Sequence, residues 1–137
     1  MFHLAFNLAD QPVALPLDEV WGCFQTLWFG GAAAVREHFP KTSWAELDPG
    51  FAAVANLGAA VTLPEYLAAE GQRQRYASRL SQLLAAFHLL VMPTMPMAAF
   101  ATGLDSAPLP EGGPRYDWSP FTYPFNMSGQ PAANIPI

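Results

Sequence analysis

The sequence predicts an α/β protein in which long helices pack on strands buried on both faces. Three features predict it. Apolar residues recur at helical spacing over long stretches. Short continuous apolar runs follow the last of these stretches. Prolines and glycines separate the pieces.

The chain has 137 residues, enough for one domain or part of a larger one. Residues 1–16 read as a short extended lead-in, because Pro12 and Pro16 limit any helix. A first helix is predicted over Leu17–His38 and ends before Pro40. Asp18 and Glu19 place negative charge at its positive N-terminal end. Val20, Phe24, Leu27, Trp28 and Val35 form its apolar stripe, and Gly30-Gly31 marks a kink or a close helix approach. A second helix runs from Asp48 to Gly58, with Asp48 as cap and Pro49 at the first helical position. The third helix, Leu63–Phe87, opens on Thr62-Leu63-Pro64-Glu65, the spacing of a capping box. Tyr66, Leu67, Tyr76, Leu80, Leu83, Leu84 and Phe87 mark its buried side, and Gln72, Arg73, Gln74, Arg75 and Arg79 its wet side. At about 1.5 Å per residue such a helix is long for so small a globule and suits a larger body.

Leu89-Leu90-Val91-Met92 then reads as a buried strand stopped by Pro93. A continuous apolar run after a long helix is the pattern of a parallel strand covered on both faces. Residues 93–120 are rich in proline and form a long irregular loop. A short helix over Phe121–Ser128 follows, capped by Gly129 and ended by Pro131. Ala132–Ile137 reads as a second buried strand. A chain that stops in an apolar strand is expected to be a piece of a larger domain.

Composition narrows the function. The net charge is −5 with six Lys and Arg and no basic run, which argues against nucleic acid. Only 12% of residues are charged, so apolar surface is expected to face a partner or the rest of a larger domain. Cys23 is the single cysteine, which rules out an internal disulfide and a cysteine-based metal site; a buried helical thiol is expected. His3, His38 and His88 lack ligand spacing, so no metal is expected. Asp105, Glu111 and Asp117 read as solvated loop charges rather than acid–base groups. No apolar stretch is free of proline or charge over a membrane's thickness, and Met1–Leu8 has no basic start; the cytoplasm is the default location.

Two segments carry more information. One is Leu89-Leu90-Val91-Met92-Pro93-Thr94-Met95-Pro96. The other runs Pro120-Phe121-Thr122-Tyr123-Pro124-Phe125-Asn126-Met127-Ser128-Gly129-Gln130-Pro131-Ala132-Ala133-Asn134-Ile135-Pro136. In this order they resemble the C-terminal part of the amidase-signature family, closely over 62–136, less so over 17–61, and not over 1–16. The resemblance implies a partial amidase-signature fold over 1–137, with long helices on a fragment of a mixed sheet. It implies hydrolysis of linear amides without a cofactor, by a Ser–cis-Ser–Lys arrangement whose serines and lysine lie outside the matching stretch. The one lysine here, Lys41, sits in a Pro-Lys-Thr-Ser linker, and no Gly-Gly-Ser-Ser-Gly stretch occurs, so no catalytic residue is assigned. Read on their own, Asn126, Gly129 and Pro131 have scaffold jobs at a crowded turn.

The resemblance also implies that Trp118, Ser119, Phe121 and Thr122 border the acyl pocket. Glutamine-using members carry an aspartate where Ser119 stands and an arginine before the middle helix. Residues 51–63 contain no arginine, so a glutamine amidotransferase is disfavoured. Tyr116, Trp118, Phe121 and Tyr123 instead suit an uncharged or aromatic amide, or serve only to pack helix on sheet. The partners implied are a small-molecule amide in the complete enzyme and the remainder of the amidase domain. Alone, the piece is expected to be inactive and to self-associate through exposed apolar surface. The competing expectation is a non-catalytic interaction module derived from an amidase.

Overall fold

The computed structural model describes residues 5–6, 10–11, 13–104 and 119–135. It is mostly helical, which overturns the α/β expectation. The described residues fall into two compact units, one of Gly22–Arg73 and one of Met1–Trp21 with Gln74–Ile137.

The unit of Gly22–Arg73 contains most of helix α1 (Trp21–Arg36), a 3-10 turn over Lys41–Glu46, helix α2 (Pro49–Gly58) and the first half of helix α3 (Leu63–Leu84). Local chemistry sets the starts. The Asp48 carboxylate accepts the Phe51 N–H at 2.9 Å, and Pro49 opens α2 where no donor is needed. Glu65 accepts the Thr62 N–H at 2.8 Å, while Thr62 Oγ1 accepts the Glu65 N–H at 3.4 Å, so the capping box forms as predicted. α3 ends at Leu84 rather than Phe87.

The buried face of α1 differs from the stripe of large residues. Trp28 and Val35 are 44% and 48% exposed, whereas Cys23 is buried. The reason is that this helix packs through its small residues. A β-carbon on Gly58 would fall inside the Phe29 carbonyl group, and one on Gly30 would stand 3.1 Å from the Tyr66 ring. Backbones approach this closely only where side chains are absent. α1 continues as helix through Gly30-Gly31. Two residues of the expected buried side of α3 also differ from expectation: Tyr66 and Leu67 are 38% and 60% exposed.

The other unit contains short pieces. Strands β1 (Ala5–Phe6), β2 (Asp10–Gln11) and β3 (Leu89–Leu90) have two residues each and pair antiparallel in the order β2-β1-β3. Ala5 pairs with Gln11 and Leu90, and Phe6 with Asp10 and Leu89. This is too little to form a layer, and no mixed or parallel sheet exists among the described residues. The predicted strand at 89–92 thus shrinks to two residues with Leu89 exposed. The strand predicted from Ala132 is not formed over 132–135, where every residue is exposed. Pro131 cannot donate to a ladder, and a strand needs partners that apolar content alone does not supply.

Helix α4 (Tyr123–Ser128) is the ordered centre of the second motif. It packs against a 3-10 turn over Leu17–Val20, which replaces the first turn of the predicted Leu17–His38 helix. Val20 and Leu80 are fully buried, with Tyr76, Phe121, Tyr123 and Met127 nearly so. The rings of Trp21 and Tyr123 lie 5.2 Å apart at 54°. Arg79 donates to Glu19 at 2.5 Å, an exposed ion pair worth little energetically. Among the described residues no single helix is long and apolar enough to cross a membrane, and α2 with α3 reach that length only across a 99° bend.

Candidate functional site

The candidate pocket residues gather on one turn. Ser119, Pro120, Phe121 and Thr122 lead directly into α4, and Trp118 lies outside the described residues. The turn is closed twice at one acceptor. The Thr122 N–H and the Thr122 hydroxyl both donate to the Ser119 carbonyl, each at 3.1 Å. Ser119 and Thr122 are half-buried, and Phe121 is 7% exposed. The turn therefore leaves Ser119 and Thr122 partly exposed and buries Phe121.

α4 is held at both ends. Pro124 sits in its first turn, where a missing N–H costs nothing, and the Phe125 N–H reaches the Thr122 carbonyl at 3.1 Å. Gly129 takes φ +70° and returns its N–H to the Phe125 carbonyl at 3.0 Å. The left-handed turn needs a residue without a β-carbon. This is the scaffold job read for Gly129 in the sequence. Asn126 is exposed.

The two motif segments meet. The Thr94 hydroxyl donates to the Asn134 side-chain oxygen at 3.1 Å across forty residues of sequence. No ladder joins these segments among the described residues, and Pro93, Pro96 and Pro131 each lack the N–H that one would use. A side-chain bond joins them.

Other chemical groups sit elsewhere. Lys41 Nζ lies 5.7 Å from the centre of the Trp44 ring in the linker, now a 3-10 turn. Burial pushes the Cys23 thiol up; Arg73 partly opposes this and Glu70 adds to it. A raised thiol pKa favours the inert form. Among the described residues no group of three His, Cys, Asp or Glu side chains could hold a metal ion.

Sequence reasoning missed Arg36. The residue is 7% exposed, and its guanidinium donates to Asn56 Oδ1 at 2.6 Å and lies 4.2 Å over the Trp44 ring. The one local signal was a cation in the last turn of a helix. Nothing local announces that Asn56, twenty residues on, meets it. Arg73, read as solvent-facing, is half-buried in an ion pair with Glu70 at 2.6 Å.

A family model described as Amidase matches residues 18–137. No curated protein and no solved structure matches the chain.

Proposed function

We propose, from the premise that the chain belongs to the amidase family, that it serves the hydrolysis of linear carbon–nitrogen bonds in small amides. The observation that carries this reading is the family match over 18–137, which includes both motif segments. In the proposed chemistry a serine oxygen attacks the amide carbon. A second serine relays its proton toward the leaving nitrogen, with a neutral lysine as the ultimate base. The amine departs, and water then cleaves the acyl-serine ester. Backbone N–H groups hold the oxyanion in both steps.

These residues supply scaffold and one wall of the acyl pocket. The Ser119–Thr122 turn is that wall: Ser119 and Thr122 face substrate, with Phe121 packed behind them. Trp118, adjacent in sequence, lies outside the described residues. An uncharged side at Ser119 suits an aromatic or aliphatic amide rather than an amino acid amide with free charged ends. The nucleophile, relay and base come from elsewhere in the domain. The exposed Leu63, Tyr66 and Leu67 at the start of α3 support a partner surface for the remainder of such a domain.

A benzamide titration followed by amide chemical shifts tests the pocket. Saturable shifts centred on Ser119 and Thr122 are expected. Shifts scattered over the chain, or none at millimolar ligand, would remove the pocket from this turn.

A further inference from the structure

We infer that Thr94 and Asn134 are positioning residues for the Ser119–Thr122 turn, acting on it through α4. The inference rests on the amidase reading for what the turn does, but not for the coupling itself. α4 has six residues, far too few for a helix to persist alone in water. It is ordered because both ends are held and because Tyr123, Pro124 and Met127 are buried. One end is the turn closed on the Ser119 carbonyl. The other is Gly129, from which an exposed tail runs to Ile135 without helix or strand.

That tail has little to fix its direction. Residues 131–135 are all exposed, and Pro131 removes a backbone donor at its start. The Thr94–Asn134 bond ties it down. Thr94 is a stiff anchor, because it is β-branched and stands between Pro93 and Pro96, whose rings lock φ. Holding Asn134 on this anchor sets the line along which the chain leaves Gly129. A six-residue helix transmits that setting to its own N-terminus, since it is rigid over so short a span. Thr94 belongs to the first motif segment and the turn to the second, so the bond gives the two segments a shared task.

The test is amide hydrogen exchange on the full 137-residue chain, read at the Thr122 and Gly129 N–H groups. Thr94→Val and Asn134→Leu should each speed exchange at both sites by roughly fivefold, the factor expected for one lost hydrogen bond. The double variant should be no faster than either single one, because both remove the same bond. Thr94→Ser, which keeps the donor, and Asn134→Asp, which keeps an acceptor, should match the parent chain. Faster exchange confined to the neighbours of residues 94 and 134 would overturn the inference. So would additive effects in the double variant, or Thr94→Ser behaving as Thr94→Val. Loss of helical circular dichroism in Thr94→Val would overturn it too, since the bond would then support the whole unit. The same samples separate this idea from the functional reading. If coupled exchange is seen but benzamide leaves the turn unshifted, the coupling stands and the amidase pocket does not.

Discussion

The unit of Gly22–Arg73 and the turn-and-helix segment around α4 are ordered by different means. In the first, helices begin on their own neighbours: Asp48 caps α2, and Thr62 with Glu65 caps α3. Small residues then let α1 and α2 touch, with Gly58 against the Phe29 carbonyl. In the second, six helical residues depend on buried side chains and on contacts made far along the chain. The difference teaches where substitutions should act. Local signals make the first region tolerant except at its glycine contact and at the buried Arg36. The second should be fragile wherever a buried side chain is removed.

The largest effect is expected at Phe121, the residue of the Ser119–Thr122 turn that is 7% exposed. Phe121→Ala should lower unfolding free energy by about 3 kcal/mol, the usual cost of deleting a buried ring. Denaturant titration checks it. Thr122→Ala, at a half-buried position on the same turn, should cost far less. Equal losses at the two would break the distinction between the buried and the half-buried side of the turn.

Next comes Gly58. Gly58→Ala should destabilise by about 2 kcal/mol, because the new β-carbon meets backbone that cannot swing aside. Gly31 is the matched control, with nothing within 4 Å of its β-carbon position in the middle of α1. Gly31→Ala should raise stability by about 0.5–1 kcal/mol through helix propensity alone. A stabilised Gly58→Ala would mean that α1 and α2 do not touch as described.

Arg36 gives a smaller and more diagnostic change. Its described partners are the neutral Asn56 amide and the Trp44 ring, so pairing offsets little of the desolvation of a buried cation. Arg36→Met should therefore cost less than about 1 kcal/mol, and Arg36→Ala about 2 kcal/mol through lost packing. Large and equal losses at the two would show that the charge, not the side-chain body, holds this corner.

The smallest effect is acid sensitivity at the start of α3. The side-chain hydrogen bond from Thr62, with a lesser backbone one, holds the Glu65 carboxyl below the usual carboxylate range. A carboxyl held low stabilises the folded form above its unfolded pKa, and that contribution is lost as pH falls through the folded value. The capping box should loosen as pH drops below about 4.3. Glu65→Gln should flatten this dependence in circular dichroism, and an unchanged slope would argue against the box.

Helix starts and stops were legible because their causes lie within four residues of sequence. Asp48-Pro49, Thr62 to Glu65, and Gly129 before Pro131 each announced what the structure forms. The sheet was misread for the opposite reason. Leu89–Met92 and Ala132–Ile137 are apolar enough for buried strands, yet a strand exists only where a partner pairs with it. β3 pairs over two residues with β1, and residues 131–135 stay exposed. The α1 face was misread because close packing at Gly30 and Gly58 leaves no apolar signature. The grouping of Ser119, Phe121 and Thr122 was readable from adjacency. Their division into inward and outward sides was not.

In the proposed reading this chain carries pocket and scaffold while the reacting groups lie elsewhere. The most direct test is ammonia release by the purified 137-residue chain supplied with benzamide and simple aliphatic amides. No release above the uncatalysed rate is expected. Turnover that survives repurification, and that disappears when a residue of this chain is substituted, would contradict it.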